Sequence, residues 1–561
     1  MPLDARTLPI DFQFDCDIAI VGGGPAGITL AAELIGSGLS VLLLESGPAG
    51  HQVSPPDAFD GEVADLARHP PLTLYRACGL GGTSTLWGGR CVPFDPVDFE
   101  ARPHVPWSGW PVSYAELEPW YRRAVSFCEA GAYRFRRAEV QGRPLPPSLP
   151  GLDDKDIDAD GLERFSRPTD FGRRYRRALE QSGNVTLVVG ATCTGLTTAP
   201  NGGAVSHLSF ASLPGREFRV AAAMVVLAAG ALETTRLLLA SGRDGGGLVG
   251  RFYMCHLEGK AAVARLKAGH RLVFGYERDG EGVYFRRHFA VPAEVQKRQR
   301  ITNVILRCEP PTIADPQHRS AVLSAVWLSR TFLKAEYARK LASFGYRGDA
   351  PSAAGSSLLG RHLGNVLRGA PELALFSADW LLRHVLARRK LPYVSVAGRD
   401  GSFTLDYNAE QVPNPDSRVT LGDERDAFGI PRLRVDWRIS EDDIEGVLSA
   451  HRLLGEALAS RGLGRLEVDE EAIRYGYNAI GGHHIGTARM ATSPERGVVD
   501  GDCRMFGLDN LYVAGSAVFP TSSHANPTLT IVALACRLAA HLRHRAGCVA
   551  TTIADDRMAA E

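Results

Sequence analysis

Between Cys16 and Gly47 the chain reads CDIAIVGGGPAGITLAAELIGSGLSVLLLESG, and no other stretch restricts the fold as much. Asp17 to Val21 is a short apolar run of strand type. Gly22-Gly23-Gly24-Pro25-Ala26-Gly27 follows and fits GxGxxG. Ile28 to Ile35 has helical character, with Gly27, Ala31 and Leu34 on one face. Gly36 and Gly38 end it, and Val41 to Leu44 is a second strand closed by Glu45. This order suits a dinucleotide. Gly22 permits a tight turn, Gly24 lets backbone approach a pyrophosphate, and Gly27 lets helix and strand pack closely. The helix N-terminus offers free N–H groups and a positive dipole end to phosphate. Glu45 comes roughly 20 residues after Gly22, where an acid accepts from a ribose hydroxyl. The motif alone does not separate FAD from NAD.

Bulk properties narrow the partners. The 561 residues carry 63 Lys+Arg against 63 Asp+Glu, so no global charge argues for nucleic acid. The ten cysteines show no CxxC pair, which fits free thiols in a reducing compartment. The N-terminus MPLDARTLPIDFQFD lacks the layout of a signal peptide. No run approaches the roughly 20 apolar residues that span a bilayer. A cytoplasmic location is expected, with oligomeric state left open. No metal-ligand spacing stands out, so no metal site is expected.

Three further segments extend the nucleotide reading. Gly79 to Cys91, GLGGTSTLWGGRC, is a glycine- and hydroxyl-rich loop able to lay backbone against a flat ring system. Its candidate contacts are Gly81, Gly82, Thr83, Ser84 and Trp87. Met224 to Ser241 reads as strand, Gly230 turn and helix. Asp509 to Pro520, DNLYVAGSAVFP, is a strand running into Gly515 and Ser516, so late that the cofactor site is expected to be built from both chain ends.

In this order, and together with SGWPVSYAELEPWYRRA (108–124), GLVGRFYMCHLEG (247–259), EQVPNPDSRVTLGDERDAFGIPRLRVDW (410–437), HHIGTARM (483–490) and SSHANPTLT (522–530), these segments resemble the glucose-methanol-choline (GMC) flavoprotein oxidoreductases. The HxxGT and ANPTLT motifs resemble most the branch of pyranose 2-oxidase and fructose dehydrogenase. The resemblance implies an α/β fold. An FAD-binding Rossmann-like domain (12–110, 165–255 and 476–545) would sit beside a substrate domain (256–475) with a mixed or antiparallel sheet and helices. It also implies oxidation of an alcohol, as in a sugar, glycoside, cyclitol or other polyol, to a carbonyl, with oxygen, a quinone or a redox protein as acceptor. The alternatives are a non-redox lyase on the same scaffold, or a flavin-binding subunit of an electron-transfer complex.

Alcohol oxidation needs a base near the hydroxyl and a polar partner for its oxygen. The HxxGT motif implies His483 as that base and His484 as a bystander. The ANPTLT motif implies Asn526 as partner, with Pro527 and Thr528 opening a helix toward the flavin. Asn526 before proline also reads locally as a helix N-cap, with Pro527 in the first helical position; one amide could do both. His524 is the competing candidate, and His256 in YMCHLEG reads as structural. Where the family branch carries a flavin-bonding histidine in its glycine loop, this chain has Leu86, which implies non-covalent FAD.

Residues 320–391 stand apart. They read as mostly helical, broken by GDAPSAAGSSLLG, and hold eleven Lys and Arg against four Asp and Glu. A solvated helical arm or an oligomer contact accounts for this; membrane-surface contact is the alternative.

Overall fold

The computed structural model describes residues 1–50, 57–142, 144–330, 355–392, 395–396, 401–480 and 482–547. The Phe12–Val21 strand, the Pro25–Glu33 helix and the Val41–Glu45 strand form in the expected order. They belong to an eight-stranded sheet. Its order is Leu3–Asp4, Val185–Val189, Val41–Glu45, Phe12–Val21, Arg216–Leu227, Val205–Leu213 and Thr192–Thr198, with Leu511–Val513 beside Arg216–Leu227. The pairings from Leu3 to Leu227 are parallel, and the last two strands of the path turn back antiparallel. Parallel strands buried on both faces read as continuous apolar runs, as Val41 to Leu44 does. The late strand pairs parallel with Val225–Leu227. Both ends of the chain thus meet in one sheet.

A second sheet is antiparallel throughout: Phe289–Ala290, Val304–Glu309, Ser402–Ala409, Leu257–Leu266 and Gly464–Val468, with Asn478–Ala479 beside Leu257–Leu266. Period-two alternation divides its faces. Leu405, Tyr407, Val304 and Leu306 join a core with Val447, Leu454 and Leu458 of the Glu441–Ser460 helix. The other face carries Lys260, Asp406 and Arg307 side by side across three strands. Gly61–Val63 pairs with Pro431–Asp436, and Arg90–Cys91 with Leu162–Phe165, which in turn pairs with Tyr284–Arg287. These ladders cross the expected boundary between 12–110 and 256–475.

In the basic stretch the helices are Ala321–Leu328, Gly355–Arg368 and Ala370–Trp380, followed by a wider π-type turn over Leu381–Leu386. Residues 331–354 of that reading lie outside the described residues. The expected break is shorter than its composition suggests, because Gly355 to Gly360 already belong to a helix. Among the described residues no helix is long and apolar enough to cross a membrane.

Candidate active site

A cavity of about 1140 Å³ runs along the junction of the two main sheets. Gly22, Gly24 and Glu45 line it, as do Gly82, Thr83, Ser84 and Trp87 of the glycine loop. Gly230, Gly515, Ser516, Pro527 and Thr528 line it too, with His483 and Asn526. Two predicted residues do not. A Cβ on Gly27 would sit 1.9 Å from the Gly22 carbonyl oxygen, and one on Gly81 would sit 2.7 Å from Asp170 Oδ1. These two glycines serve packing.

The cavity's glycine end suits a dinucleotide. Gly22 has φ of +111°, with the Ala228 carbonyl where a Cβ would lie. A Cβ on Gly24 would meet nothing within 4 Å, so a ligand can approach the backbone there. The Pro25–Glu33 helix has no side-chain cap, which leaves its first N–H groups for phosphate. Glu45 is already engaged: its carboxylate accepts from the N–H groups of Gly23, Gly47 and Gly79 at 2.8 to 2.9 Å. It ties the three turns together while still facing the cavity. The Trp87 indole donates to the Thr169 carbonyl at 2.9 Å, which anchors the glycine loop.

At the other end, Met254 pairs with Ile485 through two backbone bonds, and Gly486 N–H donates to the Ser516 carbonyl. These bonds set the HHIG segment between the YMCH segment and the late glycine turn. His256 Nε2 lies 3.0 Å from the Ser522 carbonyl, to which it can only donate. Burial pushes the His256 pKa down to about 4, so the ring is neutral and its Nδ1 is an acceptor. His483 Nδ1 lies 2.8 Å from that nitrogen and therefore carries the proton. His483 Nε2 is then a lone pair, and it accepts from Asn526 Nδ2 at 3.0 Å. Each tautomer in this chain is dictated by the Ser522 carbonyl at its end. The result is a basic nitrogen and an amide N–H₂ side by side on the cavity wall. Asn526 Oδ1 is buried and, among the described residues, meets no donor.

The cap reading of Asn526 is corrected. The helix runs Thr528–Arg545, Pro527 is its boundary residue, and no side chain caps it. The first intrahelical bond runs from the Ile531 N–H to the Pro527 carbonyl at 2.8 Å, so Asn526 lies outside the first turn and its amide turns to His483. The preceding loop is buried and pinned. Asn408 Nδ2 donates to the His524 carbonyl at 2.6 Å, and Ser522 Oγ accepts from Gln411 N–H at 3.0 Å. His524 faces away from the cavity, 3.2 Å from Asp95. Despite burial, that carboxylate holds its pKa above the usual histidine value.

His484 turns to the opposite side, where Tyr253 Oη lies 2.7 Å from His484 Nδ1 and 2.8 Å from His69 Nε2. His69, Cys255 and His484 are the one described group close enough to share a metal ion. The Tyr253 hydroxyl already stands among them and hydrogen-bonds all three, with Cys255 Sγ at 3.3 Å.

Sequence reasoning missed His256, Asn408 and Gln411 as parts of this site. None lies near His483 in the chain, and only strand register brings them there. Arg307, Asp406 and Lys260 were also missed. They belong to the charged face of the antiparallel sheet, which forms a cavity wall. Arg307 is buried and bonds Asp406 at 2.6 Å and Glu163 at 3.0 Å.

Residues 17–302 match the model of the family "FAD dependent oxidoreductase", about half the chain, and residues 413–535 match "GMC oxidoreductase". The 2-methyl-1,2-propanediol dehydrogenase of Mycolicibacterium austroafricanum is 23% identical over 94% of this chain and 95% of its own. The fructose dehydrogenase large subunit of Gluconobacter japonicus is 25% identical over 93% and 97%. Among solved structures, pyridoxine 4-oxidase has the same fold, with a TM-score of 0.54 at 19% identity over 94% of this chain and 99% of that one.

Proposed function

Because this chain belongs to the glucose-methanol-choline family of FAD-dependent alcohol oxidoreductases, we propose that His483 Nε2 takes the hydroxyl proton of a polyhydroxylated substrate while Asn526 Nδ2 donates to the same oxygen. FAD, when bound, supplies the acceptor for the two electrons that leave the carbon as hydride. The residues that would hold it are Gly22, Gly24, Glu45, Gly82 to Ser84, Trp87, Gly230, Gly515, Ser516 and the helix start at Thr528. The observation that supports this reading is the hydrogen-bonded order Ser522, His256, His483, Asn526, which turns the Nε2 lone pair toward the Asn526 amide at the cavity wall, where a substrate hydroxyl would replace that contact. A base at that position accepts a proton without first losing one.

The substrate class rests on the opposite wall. Arg286, Arg307, Glu309, Asp406, Glu258 and Lys260 present both signs of charge to the cavity. Charged donors and acceptors make the strong hydrogen bonds that offset desolvation of several hydroxyls at once. A sugar or polyol fits this wall better than a simple aliphatic alcohol. Relatives named for a propanediol and for fructose agree with that reading.

The test is anaerobic flavin bleaching over sugars, glycosides, cyclitols and simple alcohols, followed by air. His483→Ala and Asn526→Ala are expected to keep FAD and to slow reduction by about 10²–10⁴-fold. Near-wild-type reduction in both variants refutes the assignment. Substrate turnover without bleaching refutes the redox reading altogether.

A further inference from the structure

The helical unit of the basic stretch exposes the wrong face to water. Eight of the fifteen exposed large apolar side chains among the described residues fall between Leu359 and Leu386. They form two stripes. Leu359, Leu363 and Leu367 repeat every four residues along the Gly355–Arg368 helix, while His362 and Asn365 on its other side are buried. Leu375, Leu382 and Leu386 continue at helical spacing along Ala370–Leu386, exposed by 74%, 61% and 67%. From Leu375 to Leu386 that second stripe is about 16 Å long. So many large apolar side chains exposed on one helical unit mark an interaction surface.

Its surroundings decide what covers it. Residues 355–391 hold six Lys and Arg against two acids in a chain whose charges balance as a whole. Arg361, Arg368, Arg388 and Lys390 are exposed. A two-fold dimer through this face would set its cations against their own copies. A lipid surface with anionic headgroups takes both the leucines and the cations, and a helix too short and too charged to span a bilayer lies in the interface plane. The unit is also fixed to the body. The Trp380 ring packs against the cluster of Phe165, Tyr284 and Leu391, and Arg389 donates to the carbonyls of Phe165 and Glu129, each at 2.9 Å. We propose that the outward faces of helices Gly355–Arg368 and Ala370–Trp380, with the turn to Leu386, seat this enzyme on an anionic membrane surface. His384, Lys390 and Leu391 of the same unit line the cavity, so the docked surface lies beside the reaction chamber.

The test is flotation of the FAD-loaded full chain with vesicles of phosphatidylcholine alone and of phosphatidylcholine mixed with phosphatidylglycerol, at low and high salt. The expected result is flotation with the anionic vesicles, weakened by salt. L375D combined with L382D should lower the bound fraction by about tenfold or more, with flavin content and solution mass unchanged. R361E combined with R368E, which leaves the leucines in place, should lose binding to anionic vesicles alone. The proposal is overturned if the wild-type chain floats with neither vesicle or if both double variants float like wild type. It is equally overturned if light scattering finds a wild-type dimer that the leucine variant dissolves.

Discussion

Replacing His256 by Phe tests the site at the point where sequence and structure diverge most. The substitution keeps a flat ring of similar size in a buried position and removes the acceptor for His483 Nδ1–H, now 2.8 Å away. A buried donor left without a partner costs about 1–3 kcal/mol. That cost falls on the tautomer with its lone pair toward Asn526, and the other tautomer would set two N–H groups against each other. At about 1.4 kcal/mol per decade, the rate of flavin reduction at saturating substrate should fall roughly 5- to 150-fold. This is less than removal of the base itself. The imidazolium of His483 loses an acceptor as well, so the acid limb of the pH–rate profile should move to lower pH. A purely structural role would leave that limb in place. His256→Asn, whose amide oxygen offers an acceptor again, should recover part of the rate. Anaerobic stopped-flow at the flavin absorbance reads all three quantities. A His256→Phe enzyme with full flavin content, a rate within twofold of wild type and an unmoved acid limb would refute the tautomer argument.

Three further outcomes are expected. Arg102 and Glu410 are both buried and joined by two parallel bonds, at 2.8 Å and 2.5 Å; Arg102→Ala should destabilise the protein by about 3–5 kcal/mol in equilibrium unfolding, and a change under about 1 kcal/mol would contradict it. Asp98 has its pKa pushed up to about 7 by burial, with Glu410 and Asp95 adding to the rise. The native state therefore keeps a proton that the unfolded chain gives up above about pH 4, and this group's contribution to stability falls as pH rises from there to about 7. Asp98→Asn should flatten that part of the stability curve, and an unchanged slope would show the opposite. Leu86 lines the cavity where a flavin-bonding histidine would stand, so acid precipitation should release the yellow colour into the supernatant; colour retained by the pellet would contradict non-covalent binding.

What was legible in the sequence was local. The Gly22 turn, the uncapped helix behind it and the packing demand on Gly27 follow from backbone geometry that a few neighbouring residues dictate. The late Leu511–Val513 strand was legible because its apolar run and Gly515 repeat the pattern of the first one. Asn526 shows where such reasoning stops. Its neighbours point to a cap, yet its amide turns instead to His483, 43 residues away.

The sequence by itself determined that this chain builds a dinucleotide fold from both its ends, because strand, turn and helix are written in short-range chemistry. The tertiary structure decided which nitrogen of His483 is basic. That depends on a carbonyl at Ser522 and a ring at His256, and only sheet register and burial bring them within hydrogen-bond distance. It also decided that the leucines of residues 359–386 face outward. Helical periodicity reveals that an apolar stripe exists, but only packing against the body shows which stripe remains uncovered.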